Sequence, residues 1–348
     1  MEPTAESGFE PLLTIAIPSF NRPEQLDLLL RSIDCAPGLV EVVVSEDNAP
    51  KRLEVRAVVN AYCAVTELNF RYLENSSNLG FDGNIRALVE AAQGRYVMFI
   101  GDDDLFIAGR LDGFLLTLGT LTDEKYVLRS YSVEHADGRS EDFCYLPSSR
   151  RIPSGEDSVA WLFKRSVTIS GFTIDRVLAK EFSTNRLDGT LLYQVYLMAV
   201  VCLNNSAFYC HKPVACVTQT YRADFHMFGS AEAERSRFTP GTVTTENSVN
   251  FTKAYFDVTK LIDAEYGTNL TPKVRSQLSK YSYPFLSIQR KRGRRVFLDY
   301  SKRLEREANL GVSPYFHLYK WALLFLGERA CDALVGRAKA FIGHTPNL

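Results

Sequence analysis

The N-terminal part of the chain contains an apolar run that ends at a proline and a polar turn. Residues 12–23 read LLTIAIPSFNRP, and a short apolar run bounded by turn residues is typical of a buried strand. Asn21 and Pro23 then predict the start of a helix, because proline fits the first helical turn. Leucine and isoleucine side chains continue at helical spacing from Leu26 to Ile33.

The same alternation repeats further along the chain. The sequence predicts strands at 40–44, 70–73 and 96–100, with helical patterns over 53–65 and 85–92 between them. Strands that alternate with helices indicate βαβ units and a mostly parallel sheet, with helices on both faces. The predicted fold class is therefore α/β.

Polar residues follow each of the four predicted strands. Open sheets of this kind bind ligands beyond the carboxyl ends of their strands. The residues there are Pro18, Ser19, Phe20, Asn21 and Arg22 after the first strand, Glu46, Asp47 and Asn48 after the second, Asn75, Asn78 and Gly80 after the third, and Asp102, Asp103 and Asp104 after the fourth. Because the four strand ends meet at one edge of the sheet, the sequence predicts a binding site at this edge.

Three adjacent carboxylates, those of Asp102, Asp103 and Asp104, follow Gly101 at the end of the fourth strand. Neighbouring like charges repel one another, and a divalent cation would offset the repulsion. Mg²⁺ and Mn²⁺ typically take one or two carboxylates together with substrate phosphates. The alternative is an acidic turn or a helix start, where aspartate is favoured. The position after a buried strand, beside three other polar strand ends, favours the metal site.

Two further segments at this edge have the chemistry of a nucleotide site. A carboxylate in Glu46-Asp47-Asn48 can accept the imino N–H of uracil or thymine, although an Asx turn favours the same residues. Residues 78–84, NLGFDGN, precede a predicted helix. Their glycines permit close approach of a ligand to the backbone, and helix starts attract phosphate.

The rest of the chain has weaker patterns. We predict strands over 126–133 and 208–218, a buried helix over 191–201 and a loop over 229–247. Helical patterns continue from there to the end of the sequence.

The bulk composition excludes several classes of protein. The 40 basic and 41 acidic residues leave no positive excess, so no nucleic-acid partner is expected. The seven cysteines are scattered without a CxxC pair, which is typical of reduced thiols in a cytosol. The first ten residues, MEPTAESGFE, lack the pattern of a secretory signal. No apolar run reaches the roughly 18 residues of a membrane span, so we expect a cytoplasmic protein.

The four strand-end motifs together resemble those of family 2 glycosyltransferases, and they are most similar to the bacterial abequosyltransferase-like branch of O-antigen assembly. The motifs are LTIAIPSFNRP at 13–23, VVVSEDNA at 42–49, NLGFDGN at 78–84 and GDDD at 101–104. The resemblance implies a GT-A fold, a nucleotide-sugar donor, Mn²⁺ or Mg²⁺, and transfer of a sugar with inversion at its anomeric carbon. It also implies a GT-A catalytic domain over 1–228, in which 11–110 bind the nucleotide sugar and 111–228 the acceptor, and a mainly helical region over 229–348.

The resemblance assigns roles to single residues. The donor-binding set within the motifs is Pro18, Phe20, Arg22, Asp47, Asn78, Asp82 and Asp102. Asp47 would read the base, for which we predict uracil, although donors in the resembling branch carry cytidine. Many relatives have aspartate where this chain has Gly101, and in that register Asp103 binds the metal while Asp102 lies beside the ribose. A plain Asp-X-Asp register would instead choose Asp102 and Asp104 as metal ligands, so all three stay candidates.

Inversion in one step needs a base that takes the proton of the acceptor hydroxyl. In resembling enzymes the base is an acidic residue at the start of a helix in the middle third of the chain. The best match here is Asp188, just before the helix predicted from Leu191, and Glu181 and Asp175 are the alternatives. A structural role as the N-cap of that helix would also suit Asp188.

Arg222 and His226 lie between the strand predicted over 208–218 and the polar segment from Gly229. Long loops without regular structure are often lids. Closure would bring Arg222 to the donor diphosphate and His226 to the metal, although a histidine at such a position is more often a surface residue.

The C-terminal segment is rich in basic and aromatic residues. The basic run Arg290–Arg295 is followed by an aromatic-rich stretch over 315–325, with further lysines and arginines interleaved. Helices of this composition suit an anionic membrane surface. The alternative is that they pack on the core with solvated charges. The resemblance implies a lipid-linked saccharide acceptor in O-antigen or capsule synthesis, which fits peripheral contact with the inner face of the cell membrane.

Two other functions compete with the transferase. A nucleotidylyltransferase has a similar sheet and metal, but its first strand usually leads into a glycine-rich loop, whereas Pro18–Arg22 contains no glycine. A non-catalytic scaffold with this fold would have no need of the intact aspartate triplet.

Overall fold

The structure is a computed structural model that describes residues 10–135, 138–218, 228–241 and 243–342. Its N-terminal part forms the predicted alternation of strands and helices. The bounds are β1 Leu13–Ser19, α1 Pro23–Arg31, β2 Val40–Glu46, α2 Arg52–Cys63, β3 Asn69–Glu74, α3 Gly80–Ala91 and β4 Tyr96–Phe99.

The middle of the chain is mixed, and the C-terminal part is helical. The further strands are β5 Leu105–Phe106, β6 Glu124–Arg129, β7 Tyr131–Glu134, β8 Ser140–Phe143, β9 Arg150–Ile152, β10 Phe172–Asp175, β11 Ser206–Cys210 and β12 Ala215–Thr218. The further helices are α4 Leu111–Thr120, α5 Glu156–Phe163, α6 Arg176–Glu181, α7 Tyr193–Asn204, α8 Glu232–Arg235, α9 Thr245–Tyr266, α10 Leu270–Lys280, α11 Tyr283–Arg290, α12 Arg294–Ala308, α13 Pro314–Leu326 and α14 Glu328–Ile342. No helix of the described residues is long and apolar enough to span a membrane.

The main sheet has eight strands in the order β3-β2-β1-β4-β10-β6-β11-β9. β1 pairs in parallel with both β2 and β4, and β2 pairs in parallel with β3. The chain therefore builds outward from β1 to β3 and then returns to add β4 on the other side of β1. This reversal is a topological switch point, where the loops after neighbouring strands diverge and leave a crevice.

The sheet has a hydrophobic core on each face because side chains alternate along β1. Leu13, Ile15 and Ile17 face α1, α2 and α4, whereas Ala16 faces α3 and α7. The second core continues without a break into the C-terminal helices, through residues such as Val249 of α9 and Leu304 of α12. The division of the chain at 228/229 stays a prediction, and the described helices after it share one core with the sheet.

Several predicted elements are wrong in detail. The strands predicted over 126–133 and 208–218 are each two strands, and in both cases the second belongs to a small separate sheet, β5-β12-β7-β8. Pro213, which cannot donate to a strand ladder, lies between β11 and β12. The helix predicted from Leu191 begins at Tyr193, because Leu191 has a left-handed backbone with φ of 63°. The loop predicted over 229–247 contains α8 and the start of α9.

Candidate active site

A cleft of about 520 Å³ opens at the carboxyl edge of the main sheet, at the switch point between β1 and β4. Pockets of roughly 300–1,000 Å³ are typical of small-molecule sites. Most of the predicted site residues line this cleft, namely Pro18, Phe20, Arg22, Asp47, Asn78, Asp102, Asp103 and Asp104. The structure therefore brings together residues from four separate sequence motifs.

The centre of the cleft is an ion-pair cluster between the loops after β1 and β4. Arg22 Nη1 lies 2.8 Å from Asp102 Oδ1 and 3.0 Å from Asp103 Oδ2. The backbone N–H of Phe20 donates to the other oxygen of Asp102, at 3.0 Å. Burial raises the pKa of Asp102, and the charge of Arg22 opposes this rise. One arginine therefore fixes two neighbouring carboxylates at the switch point.

The third aspartate of the triplet has different partners. Asp104 accepts hydrogen bonds from the Ser170 hydroxyl and, at 3.1 Å, from the backbone N–H of Thr218. Ser170 Oγ also accepts the N–H of Gly101, at 3.0 Å. Asp104 thus ties the triplet to the end of β12 and to the segment before β10, and its side chain is almost fully buried.

The donor set at the cleft fits a divalent cation held by one protein carboxylate. Asp103 is the most exposed of the three aspartates, with a side chain 21% exposed, whereas Asp102 and Asp104 are committed to protein donors. No three His, Cys, Asp or Glu side chains converge as a ready-made cage in the part of the chain that the structure describes. Mg²⁺ needs no such cage, since it is often bound by one or two carboxylates and substrate phosphates.

Asp47 holds the loop after β3 against the end of β2. Its Oδ1 accepts from Asn75 Nδ2 at 2.9 Å and from the N–H of Leu79 at 2.8 Å, and its Oδ2 accepts from the N–H of Gly80 at 2.9 Å. Each carboxylate oxygen has two lone pairs, so accepting these bonds leaves capacity for a ligand donor. Asp47 therefore lines the cleft and organises its floor.

The first two N–H groups of α3 are already bonded to carboxylates, although residues 78–84 suggested a phosphate site there. The N–H of Gly80 donates to Asp47, and the N–H of Phe81 donates to Glu234 Oε1 at 2.7 Å. Glu234 Oε2 accepts the N–H of Gly229 at 2.6 Å. Glu234 is buried, lines the cleft and was not predicted, because it belongs to the four-residue helix α8 far along the chain.

A buried arginine supports the wall of the cleft from behind. Arg129 is fully buried and donates to the carbonyl groups of Ser170, at 2.6 Å, and Thr168, at 2.8 Å. Gly171 packs against it with φ of 82°, and a Cβ at that position would lie 2.9 Å from Arg129 Nε. Sequence reasoning missed this support, since a lone arginine within a predicted strand carries no motif.

Asp82 lies behind the cleft and does not line it. Its carboxylate accepts the N–H groups of Leu191, at 2.8 Å, and Tyr193, at 3.0 Å. Burial raises the pKa of Asp82 to about 7, against the effect of these two N–H groups. Asp82 thus fixes the turn that precedes α7, which includes the left-handed Leu191.

Asp188 is not an N-cap, because α7 begins at Tyr193 with Leu192 in the capping position. It pairs instead with Arg86 of α3, whose Nη2 lies 2.8 Å from Asp188 Oδ2. Neither Asp188 nor its alternatives Asp175 and Glu181 line the cleft. Asp175 caps α6 and lies 3.0 Å from Lys125 Nζ. Arg222 and His226 lie outside the described residues.

Comparisons with known proteins identify the class. Residues 14–134 match the family model described as glycosyl transferase family 2. This part of the chain is a family 2 glycosyltransferase domain, as the motifs predict.

A curated relative and two solved structures add detail. The chain is 27% identical over 136 residues to the GalNAc(5)-diNAcBac-PP-undecaprenol beta-1,3-glucosyltransferase of Campylobacter jejuni, which covers 38% of this chain and 42% of the relative. The match thus spans less than half the length of that relative. S. aureus TarS 1-349 in complex with UDP-GlcNAc is similar with a TM-score of 0.54 and 14% identity, over 95% of this chain and 92% of that one. A structure of S. aureus TarS has a TM-score of 0.53 and 14% identity, over 92% of this chain and 55% of that one. At this identity the likeness is one of fold, and it confirms the predicted GT-A architecture with a helical C-terminal region.

Proposed function

We propose that the protein transfers a sugar, with inversion, from a nucleotide-diphosphate donor to a hydroxyl of a saccharide acceptor. The observation that carries this proposal is the Arg22–Asp102–Asp103 cluster, which lies in a cleft at the switch point of a family 2 domain. Nucleotides bind at such switch points in open α/β sheets.

The cleft residues have separate tasks in this proposal. Pro18 and Phe20 border the nucleotide, and Asp47 accepts an N–H of its base. Asp102, fixed by Arg22 and Phe20, lies beside the ribose. Asp103 would hold Mg²⁺ or Mn²⁺, and the ion would supply positive charge for the leaving diphosphate. EDTA should therefore abolish transfer and either ion should restore it, whereas full activity in EDTA would show that the reaction needs no divalent metal.

Asp188 is the proposed base, and this assignment rests on the family resemblance. Its ion pair with Arg86 of α3 fixes the position of the carboxylate. Asp188 lies outside the residues that line the cleft, so the acceptor hydroxyl must reach it from the side of the turn before α7.

A lipid-linked acceptor in surface-polysaccharide synthesis is the proposed substrate, since the curated relative carries undecaprenol in its name. Helix α13 presents one exposed apolar face that suits the surface of the membrane holding such a lipid. The exposed side chains on it are Tyr315, Leu318, Trp321, Phe325 and Leu326. Arg290, Lys291 and Arg329 line a hollow beside Leu326. Glu328 lies there too and pairs with Lys291 at 3.1 Å, so the hollow keeps a net positive charge.

Flotation with anionic liposomes tests the membrane contact. Wild-type protein should float at low salt, and Phe325→Ser should reduce the bound fraction. Leu116→Ser is the matched control, since Leu116 is as exposed as Phe325, at 75% and 73%, but lies on α4. Equal flotation of both variants, or none of the wild type, would contradict the contact.

A product assay separates the proposed reaction from its rivals. The protein is incubated with Mn²⁺ and a panel of nucleotide sugars, and release of the nucleoside diphosphate is measured. A nucleotidylyltransferase would instead release pyrophosphate from a nucleoside triphosphate and a sugar phosphate. Release of neither product would favour a non-catalytic scaffold.

A further inference from the structure

A second cavity adjoins the cleft on the side of α7. It measures about 250 Å³ and is lined by Phe81, Val167, Ile169, Leu191, Gln194 and Phe228. Phe81, Ile169 and Phe228 also line the cleft, so the two spaces are neighbours. Five of the six lining residues are apolar, and Gln194 alone brings a polar side chain.

The protein orients the carboxamide of Gln194, but only the nitrogen of this group has a hydrogen-bond partner. Its Nε2 donates to the carbonyl of Val167 at 2.8 Å, and this bond distinguishes the nitrogen of the carboxamide from its oxygen. Its Oε1 is buried and has no hydrogen-bond partner among the described residues, in a side chain that is 1% exposed. A buried acceptor without a donor is unfavourable, and a ligand N–H would satisfy it.

The turn before α7 holds Gln194 in place. Leu191 has φ of 63°, an unfavourable conformation for a branched residue. The two hydrogen bonds from Leu191 and Tyr193 to Asp82 stabilise it. Strained backbone that the surrounding structure fixes is characteristic of functional sites.

We propose that this cavity binds the acetamido group of an N-acetylated sugar. The acetamido N–H donates to Gln194 Oε1, and its methyl group packs against Val167, Ile169 and Leu191. A ring with a hydroxyl in place of the acetamido group can still donate to Gln194 Oε1, but it lacks the methyl contacts with the apolar walls. This inference rests on the proposed function, and the sugar is either that of the donor or that of the acceptor.

Two arms of one experiment distinguish these sources. In the donor arm, calorimetry with Mn²⁺ compares UDP-GlcNAc with UDP-glucose. In the acceptor arm, saturation-transfer NMR in the presence of UDP compares methyl glycosides of GlcNAc and GalNAc with those of glucose and galactose. One arm should show a preference of about tenfold or more for the N-acetylated sugar, since an apolar pocket that fits a methyl group typically discriminates by about that much against an analogue without it.

Gln194→Met should abolish that preference and leave the affinity for UDP unchanged. Gln289→Met is the matched control, because Gln289 is also a buried glutamine but lies in α11 with both ends of its amide bonded. Ile169→Phe, which fills the cavity without touching the amide, should also abolish the preference if Gln194→Met does not fold.

Each outcome has a defined meaning. A preference that survives both variants, or wild-type protein that binds UDP but prefers neither sugar type in either arm, overturns the acetamido site and leaves the proposed function intact. Failure of the wild-type protein to bind any of UDP, CDP and GDP overturns both.

Discussion

The acids beside Arg22 and the acids at the junction of α3, α7 and α8 are bound by different kinds of partner. In the cleft, Asp102 and Asp103 pair with the side chain of Arg22. At the junction, Asp82 accepts the N–H groups of the distant Leu191 and Tyr193, and Glu234 accepts that of the distant Phe81. Both sets are acidic, largely buried and close to the start of a helix or the end of a strand.

The comparison teaches that the partner of a buried acid indicates its task. A carboxylate held by backbone N–H groups fixes the path of two chain segments. A carboxylate paired with an arginine at the mouth of a cleft keeps lone pairs that a ligand or metal can use. Substitutions of Asp102 and Asp103 should therefore reduce turnover, and substitutions that disturb the contacts of Asp82 and Glu234 should reduce the free energy of unfolding.

The largest effect is expected for Asp103→Asn, the change in the most exposed cleft acid. Turnover should fall by about 10²–10³, the loss typical when one group that stabilises transition-state charge is removed. The melting temperature should stay unchanged or rise slightly, because like-charge repulsion in the triplet is relieved. Asp123→Asn, in a carboxylate 70% exposed, is the control with no expected effect on turnover. Retained turnover in Asp103→Asn would show that this acid, although paired with Arg22, does not serve the reaction.

Asp188 shows whether an acid paired with an arginine serves the reaction even when it does not line the cleft. As the base, it should lose turnover by about 10² or more in Asp188→Asn, with donor affinity unchanged. Arg86→Met separates this role from a structural one. If the ion pair alone matters, both variants lose turnover and stability to the same extent, and the base must be sought elsewhere.

Gly189→Ala should give the largest loss of stability at the junction. Gly189 has φ of 83°, and a Cβ there would lie 2.2 Å from the carbonyl oxygen of Ala233. The clash and the left-handed backbone together should cost about 2–4 kcal/mol in denaturant unfolding. Gly267→Ala has a similar φ of 65° but open space around its Cβ, so it measures the backbone cost alone, about 1–2 kcal/mol. Equal losses in the two variants would show that α8 does not pack tightly on the turn.

Asp82→Asn should have the smallest effect. The carbonyl oxygen of the asparagine would still accept one of the two N–H groups, but its NH₂ group would face the other. The lost hydrogen bond should cost about 1–3 kcal/mol of unfolding free energy. Turnover should fall only through the displaced turn before α7. A loss of turnover without loss of stability would instead indicate that Asp82 binds the donor, as the family resemblance implies.

The sequence was sufficient for the sheet edge but not for its supports. β1 to β4 are short apolar runs between helical patterns, and the carboxyl ends of parallel strands meet by geometry, so Arg22, Asp47 and Asp102 were predictable as neighbours. Ser170, Thr218 and Glu234 reach the same place from distant segments with no motif. Their positions follow from tertiary packing, which local patterns do not encode.

The start of α7 shows the same limit. The apolar pattern from Leu191 is helical, but the hydrogen bonds from Leu191 and Tyr193 to Asp82 hold a left-handed residue and delay the helix to Tyr193. This shift removed Asp188 from the capping position, which was the structural alternative to its role as the base. A contact between residues 109 positions apart decided the local structure.

The most direct test of the central claim is a calorimetric titration of UDP into the protein, with Mn²⁺ and with EDTA. We expect UDP to bind in the presence of Mn²⁺ and to bind much more weakly in EDTA. In Asp103→Asn, Mn²⁺ should no longer raise the affinity for UDP. Equal affinity for UDP in wild-type protein with and without the metal, and in Asp103→Asn, would contradict a metal-assisted nucleotide site at the switch point.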